Sequence, residues 1–152
     1  MRKILNKGFV KLEGVLGNSK DSTVFQFLIK APVFVSQALF LQNAGHFTET
    51  TLTEDFYVPA KYGDLSEAQC NTLFTKFENY SKWSFNFYHK LLAEGVIPEQ
   101  AVMILPMSVY IQFHWTIRAS DLDTFAHQST DMEIDQYRTA LLDYYKEKIN
   151  EK

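Results

Sequence analysis

Cysteine occurs once in this chain of 152 residues, as Cys70, which excludes an internal disulfide and a thiolate-rich zinc site. Four prolines and six glycines are too few for a collagen-like or low-complexity segment. Neither sign of charge dominates: 15 Lys and Arg against 18 Asp and Glu leave a formal charge of −3. Bulk attraction to nucleic acid is therefore not expected. No uninterrupted apolar run reaches the roughly 18 residues of a membrane span, and no basic-then-apolar leader opens the chain. A single cytoplasmic globular domain over residues 1–152 is the expectation. Arginine is scarce too, limited to Arg2, Arg118 and Arg138. Neither a G-x-G-x-x-G or P-loop phosphate cradle nor a G-x-S-x-G nucleophile elbow occurs.

Aromatic residues, by contrast, are abundant: 13 Phe, 8 Tyr and 2 Trp make 15% of the chain. That exceeds what a lone domain of this size needs for its core. Residues 8–16 and 23–29 read as two strands joined by a Gly/Asn-rich turn over 17–22, hence as antiparallel neighbours. Pro32 suits the first turn of a buried helix over 33–43. Residues 46–53 are β-prone and polar. Ser66 with Gln69 forms a capping box before a long helix that Gly95 stops. Its apolar stripe runs through Leu73, Phe77, Tyr80, Phe87 and Leu91. Trp83 and Phe85 widen the arc, so the helix is either sunk in its own core or shared with a second subunit. Pro98 and Glu99 start a short helix that Pro106 ends. Residues 107–118 then alternate strictly, with Met107, Val109, Ile111, Phe113, Trp115 and Ile117 facing a core and Ser108, Tyr110, Gln112, His114, Thr116 and Arg118 facing away. A short helix over 121–127 and a final helix capped at Thr130–Glu133 close the chain. The sum is an α+β domain with a small antiparallel sheet packed with helices.

The polar face of 107–118 is the first candidate site. Tyr110, Gln112, His114, Thr116 and Arg118 lie on one side of a strand at steps of about 7 Å, within reach of one ligand. Arg118 stands out because a planar guanidinium pairs bidentately with phosphate or carboxylate. Gln42, Asn43, His46 and Glu49 form a second polar cluster after the buried helix, suited to a ligand loop. No H-x-x-x-H or H-E-x-x-H spacing joins His46, His114 and His127, so no metal site is expected. Cys70 lies on the apolar arc of the long helix and reads as a buried structural thiol.

Several segments together resemble flavin-dependent thymidylate synthases over nearly the whole length. They are KGFVKLEGVLGN at 7–18, FLIKAPVFV at 27–35, EDFYVP at 54–59, AEGVIPEQA at 93–101 and LPMSVYIQFHWTIRASDLDTF at 105–125. The resemblance implies a thymidylate-synthase-like α+β fold and a homotetramer with active sites between subunits. It also shows losses. The family's R-H-R-x-x-S-x-N-E-x-S-x-R signature falls on residues 41–53, where Glu49 alone keeps a charged member and Thr51 stands in for a serine. All three arginines of that signature are missing, as is a flavin-contacting helix between the first two strands. Ser129 stands where the family has an arginine, a deletion before Met132 removes a histidine, and Arg118 replaces an asparagine.

These losses lead to the expectation of a non-catalytic binder of a nucleotide-type small molecule, holding no FAD and no metal. One use would be a phage protein that soaks up a nucleotide-derived immune signal. The expected ligand contacts are Gln42, Asn43, His46, Glu49, Tyr110, Gln112, His114 and Arg118, and the expected assembly is a homo-oligomer. A pseudoenzyme partner of an active synthase, and a flavin or nucleotide enzyme with altered chemistry, are the alternatives.

Overall fold

The computed structural model describes residues 1–17, 22–42, 44–126 and 131–150. The two β-prone segments form strands β2 (Gly8–Leu16) and β3 (Val24–Pro32), paired antiparallel with Val10 opposite Ile29 and Leu12 opposite Phe27. The turn between them begins at Gly17, whose φ of 100° only glycine adopts without strain. Its residues 18–21 lie outside the described residues. An additional short strand, β1 (Arg2–Ile4), folds back on β2, with Ile4 opposite Gly8.

The polar 46–53 segment becomes a longer strand, β4 (His46–Phe56), and the alternating segment becomes β5 (Val109–Arg118). The five strands lie in the order β1-β2-β3-β5-β4, every neighbouring pair antiparallel. The last strand in sequence thus inserts between β3 and β4 and occupies the interior of the sheet. Both its ladder sides are satisfied, in keeping with its long run of β-branched and aromatic residues.

Alternation along β3 and β5 puts Phe25, Phe27 and Ile29 beside Ile117, Trp115 and Phe113 on one face. Helices α1 (Val33–Phe40), α4 (Ala119–Ala126) and α5 (Met132–Asn150) cover that face with Val35, Leu39, Leu122, Phe125, Tyr137 and Leu141, all buried. Each large side chain buried there contributes roughly 1.5–3 kcal/mol. Phe47 of β4 stacks on Trp115 at 5.2 Å between ring centroids, and the Trp115 indole N–H donates to the Ala44 carbonyl at 2.9 Å. The predicted inner face of the final helix is borne out: Ile134, Tyr137, Leu141 and Tyr145 are buried and Tyr144 is half-buried.

Several boundaries differ from the expectation. Pro32 is the last residue of β3 and the N-cap of α1, with ψ 149°, instead of a first-turn residue. The strand expected from Met107 starts at Val109, and Met107 is exposed. Helix α4 starts two residues earlier than expected, at Ala119. Thr130, the expected cap of the last helix, and His127 lie outside the described residues.

The long helix α2 (Glu67–Ala93) has the predicted capping box, Ser66 Oγ accepting from the Gln69 N–H at 3.4 Å. Its orientation overturns the expected stripe. Cys70, Ser81, Ser84 and Phe85 are buried, while Phe77, Tyr80, Trp83 and Phe87 are exposed. The helix lies beside the short helix α3 (Pro98–Ala101) and the 3-10 turn Val102–Ile104 that follows it. Phe85 meets Phe56 at the end of β4, at 6.2 Å. The helix is therefore not sunk in its own core, and its aromatic arc faces outward.

Candidate functional site

Because α1, α4 and α5 pack on one face, the other face of the sheet is free to form a site. Along β5 this open face carries Gln112, His114, Thr116 and Arg118. Beside them, β3 contributes Lys30, Leu28, Gln26 and Val24 in register. Two bulges then bring acidic groups onto it. In β2 the register shifts between Leu12 and Gly14, which leaves Glu13 as the extra residue. In β4 it shifts between Thr48 and Thr51, and Glu49 adopts a positive φ of 55°. A non-glycine residue in that conformation is strained, and such strain concentrates where a side chain is re-aimed for a purpose. Gly14 lies opposite Gln26, and a Cβ there would press to 2.8 Å from the Gln26 amide oxygen. The glycine keeps that amide in place.

Both carboxylates converge on His114. Glu13 Oε2 lies 3.2 Å from its Nε2, and Glu49 Oε2 lies 3.2 Å from its Nδ1. Nδ1 is buried, yet it has no acceptor in hydrogen-bonding geometry. The Glu49 contact is thus a close approach and not a formed hydrogen bond. The Lys11 ammonium, 2.9 Å from Glu13 Oε1, holds the Glu13 carboxyl below its ordinary value, with His114 adding to the effect. Around this trio lies a cavity of about 260 Å³, lined by Glu13, Gln26, Thr48, Glu49, His114 and Thr116. A larger groove of about 670 Å³ runs between β1 and α5, but its Arg2 is already paired with Asp143 and Glu147.

Of the residues singled out by sequence, the structure brings together His114 and Glu49. His46 is exposed on the edge strand opposite Thr116, beside the cavity. Gln112 lies opposite Thr51 and Lys30, one step along the strand and outside the lining. Arg118 is exposed at the strand end, and its Nε pairs with Asp121 at 3.1 Å. Gln42 turns back on its own helix toward the Ala38 carbonyl, at 3.4 Å. Asn43 lies outside the described residues. Tyr110 corrects the alternation argument: although it has open-face parity it is fully buried, and its hydroxyl donates to the Leu5 carbonyl at 2.5 Å. The β1–β2 turn covers it. Thr116, placed by sequence on the polar face of the strand, does line the cavity, whereas sequence reasoning missed Glu13, Gln26 and Thr48. For Glu13 the signal was Gly14, since a glycine inside a strand marks a bulge. Among the described residues no group of three or more His, Cys, Asp or Glu could hold a metal ion. Nor is any described helix long and apolar enough to cross a membrane.

Fold and site together define an α+β protein with a five-stranded antiparallel sheet, one face covered by helices and the other open and polar. The chain belongs to the thymidylate synthase complementing protein family, Thy1, which matches residues 21–149. It is 33% identical to the flavin-dependent thymidylate synthase of Thermosipho africanus, covering 84% of this chain and 65% of that enzyme. It is 28% identical to that of Thermosipho melanesiensis, covering 96% of this chain and 89% of the relative. The latter alignment runs to 207 positions against a chain of 152 residues, so the relative carries stretches that this chain lacks. In fold it is similar to the UMP/dUMP methylase PolB from Streptomyces cacaoi. The structure bound with 5-Br UMP superposes with a TM-score of 0.79 at 17% identity, covering 97% of this chain and 92% of PolB. The structure bound with 5-Br dUMP gives a TM-score of 0.73 at 22% identity, covering 82% and 66%.

The open-face cavity, about 260 Å³ within one chain, falls under the roughly 300 Å³ at which pockets for drug-sized ligands begin, so by itself it does not fit a whole flavin dinucleotide.

Proposed function

We propose that this protein binds a nucleotide-type small molecule in the open-face cavity, without turnover and without flavin. The observation that carries the reading is the buried Nδ1 of His114, which forms no hydrogen bond although the histidine is held between Glu13 and Glu49. A buried polar atom without a partner costs stability unless a ligand or water completes it. The surrounding groups supply both donors and acceptors: carboxylates for sugar hydroxyls or base amino groups, Gln26 and the threonines for a base edge. Glu49 is also the one charged member kept from the family signature. PolB's bound 5-Br UMP and 5-Br dUMP make pyrimidine nucleotides the first ligands to test. Binding without turnover suits sequestration, in the sense of a sponge for a nucleotide-derived immune signal.

The proposal includes a homo-oligomer, a tetramer on the family pattern, closed by the outward aromatic face of α2. Phe77, Tyr80, Trp83 and Phe87 are between 37% and 53% exposed, a contiguous apolar surface that soluble monomers avoid. The same face would serve co-assembly with an intact synthase, the second reading.

Isothermal titration calorimetry against UMP, dUMP and a panel of cyclic nucleotides tests the function. The expected result is saturable binding with the nucleotide recovered unchanged, weakened about tenfold or more in Glu49→Gln and His114→Gln. Silence across the panel from an intact oligomer would overturn it, and a yellow purified protein would overturn the flavin statement. Native mass spectrometry of the protein, alone and with Trp83→Lys, reads the assembly.

A further inference from the structure

A separate cavity of about 270 Å³ lies where the β1–β2 turn, the end of β4 and α2 meet. Asn6, Lys7, Phe56, Tyr57, Phe74 and Lys82 are among its lining residues. It shares no residue with the open-face cavity. Its volume falls just under the roughly 300 Å³ at which ligand pockets for drug-sized molecules begin, so it suits a ligand of one or two rings.

One wall is a strained turn. Leu5 and Asn6 have φ values of 47° and 62°, and leucine takes such a conformation only where its surroundings impose it. The Tyr110 hydroxyl and the Lys7 N–H both donate to the Leu5 carbonyl, at 2.5 and 2.6 Å. This clamp sets where Lys7 stands. Its ammonium lies 2.9 Å from one oxygen of Asp55, while Lys30 occupies the other. Two ammonium groups thus share one carboxylate. Hydrogen bonds from Lys30 and Lys7 keep the Asp55 carboxyl below its ordinary value, so it is fully charged and already shared. Across the cavity, Lys82 pairs with Glu78, one helical turn away at 3.1 Å and also in the lining, so an incoming anion must displace this carboxylate from the ammonium. Exposed pairs of this kind yield readily to a better partner. Phe56 and Phe74 supply apolar ring surface, and Lys7 Nζ stands 5.6 Å from the Phe56 centroid.

We infer that this cavity is a second binding site, for a small aromatic anion: a planar ring carrying a carboxylate or phosphate, its ring against Phe56 and Phe74 and its acid group toward Lys7 and Lys82. Charge-assisted hydrogen bonds from the lysines and ring contact from the phenylalanines each supply part of the affinity. Neither an uncharged ring nor a bare anion has both.

Titration of the full chain with phenyl phosphate and benzoate, followed by heteronuclear NMR, tests the site. Inorganic phosphate and benzyl alcohol serve as half-ligands. At least one aromatic anion is expected to saturate, with shifts centred on residues 5–7, 56–58 and 74–82. Phenyl phosphate alone would assign the phosphate class, and benzoate alone the carboxylate class. Each half-ligand, and each of Lys7→Met, Lys82→Met and Phe74→Ala, should bind about tenfold more weakly. His114→Gln should leave the affinity unchanged, which separates this site from the nucleotide reading. The inference is overturned if neither aromatic anion saturates, if Lys7→Met combined with Lys82→Met binds as tightly as the parent, or if His114→Gln abolishes binding.

Discussion

Replacing Gly8 with alanine tests how tightly the first hairpin is docked on the last helix. A Cβ at this position would stand 1.9 Å from the Tyr137 hydroxyl oxygen, 2.8 Å from the Lys30 carbonyl oxygen and 2.9 Å from that of Ile4. The two carbonyls belong to strands in register with the hairpin, Ile4 opposite Gly8 and Lys30 opposite Phe9, so neither can retreat alone. Tyr137 is the part that can turn, but it is fully buried and its hydroxyl donates to the Lys30 carbonyl at 2.8 Å. Overpacking costs about 1–3 kcal/mol, and a buried hydroxyl stripped of its acceptor costs about 1–3 kcal/mol more. A combined loss of about 3 kcal/mol is a large share of the roughly 5–15 kcal/mol that holds a domain folded. Urea denaturation should therefore show a lowered midpoint for Gly8→Ala at an unchanged slope. Tyr137→Phe is the partner variant. It removes the nearest atom, costs about 1 kcal/mol by itself, and should make the alanine cheaper by about 1 kcal/mol or more in the double variant. A Gly8→Ala protein within about 0.5 kcal/mol of the parent, or one with the same cost in both backgrounds, would refute the reasoning.

Two pH dependences follow from buried or paired groups. Burial pushes the Tyr57 phenol up to about 12, and pushes Tyr110 and Tyr137 up further. The folded state holds all three neutral, so their contribution is complete below the unfolded value of about 10 and is lost as pH rises through the folded values. Cooperative alkaline unfolding coincident with tyrosinate absorbance is the expected outcome, and ionisation of these phenols in a chain still folded by circular dichroism would contradict it. Asp55 runs the other way. Its carboxyl is lowered by Lys30 and Lys7, so its contribution is present above the unfolded value of about 4 and fades as pH falls below it. Asp55→Asn should cost roughly 1 kcal/mol at neutral pH, because the pair is partly exposed, and should converge with the parent in acid. A pH-independent difference would show that the loss is one of packing.

How much of this was legible in the chain varies from element to element. The alternation of 107–118 was strong enough to define a strand and its core face, because the period of two assigns each side chain to a side whatever the neighbours are. The same rule misplaced Tyr110, since parity says which face a residue occupies and not what covers it. The covering turn belongs to β1, three residues too short to announce themselves. Helix α2 shows the converse problem. Its aromatic arc was visible, but an apolar arc does not say which side meets the rest of the chain. Small serines at 81 and 84 hold the inner face beside Phe85, and that choice exists only in three dimensions. The carboxylates of the site depend on bulges that shift Glu13 and Glu49 onto the face of His114, and register is a property of paired strands.

The sequence by itself therefore determined the α+β class, the central strand, the capped long helix and the presence of more aromatic surface than one core needs. Each of these rests on local chemistry: side-chain period, cap residues, composition. Tertiary structure alone decided that His114 stands between two carboxylates with no hydrogen bond formed at Nδ1, and that two lysines share Asp55 beside a strained turn. Those are meetings of residues far apart in the chain. Their energies depend on distance and burial, which only the packed sheet sets.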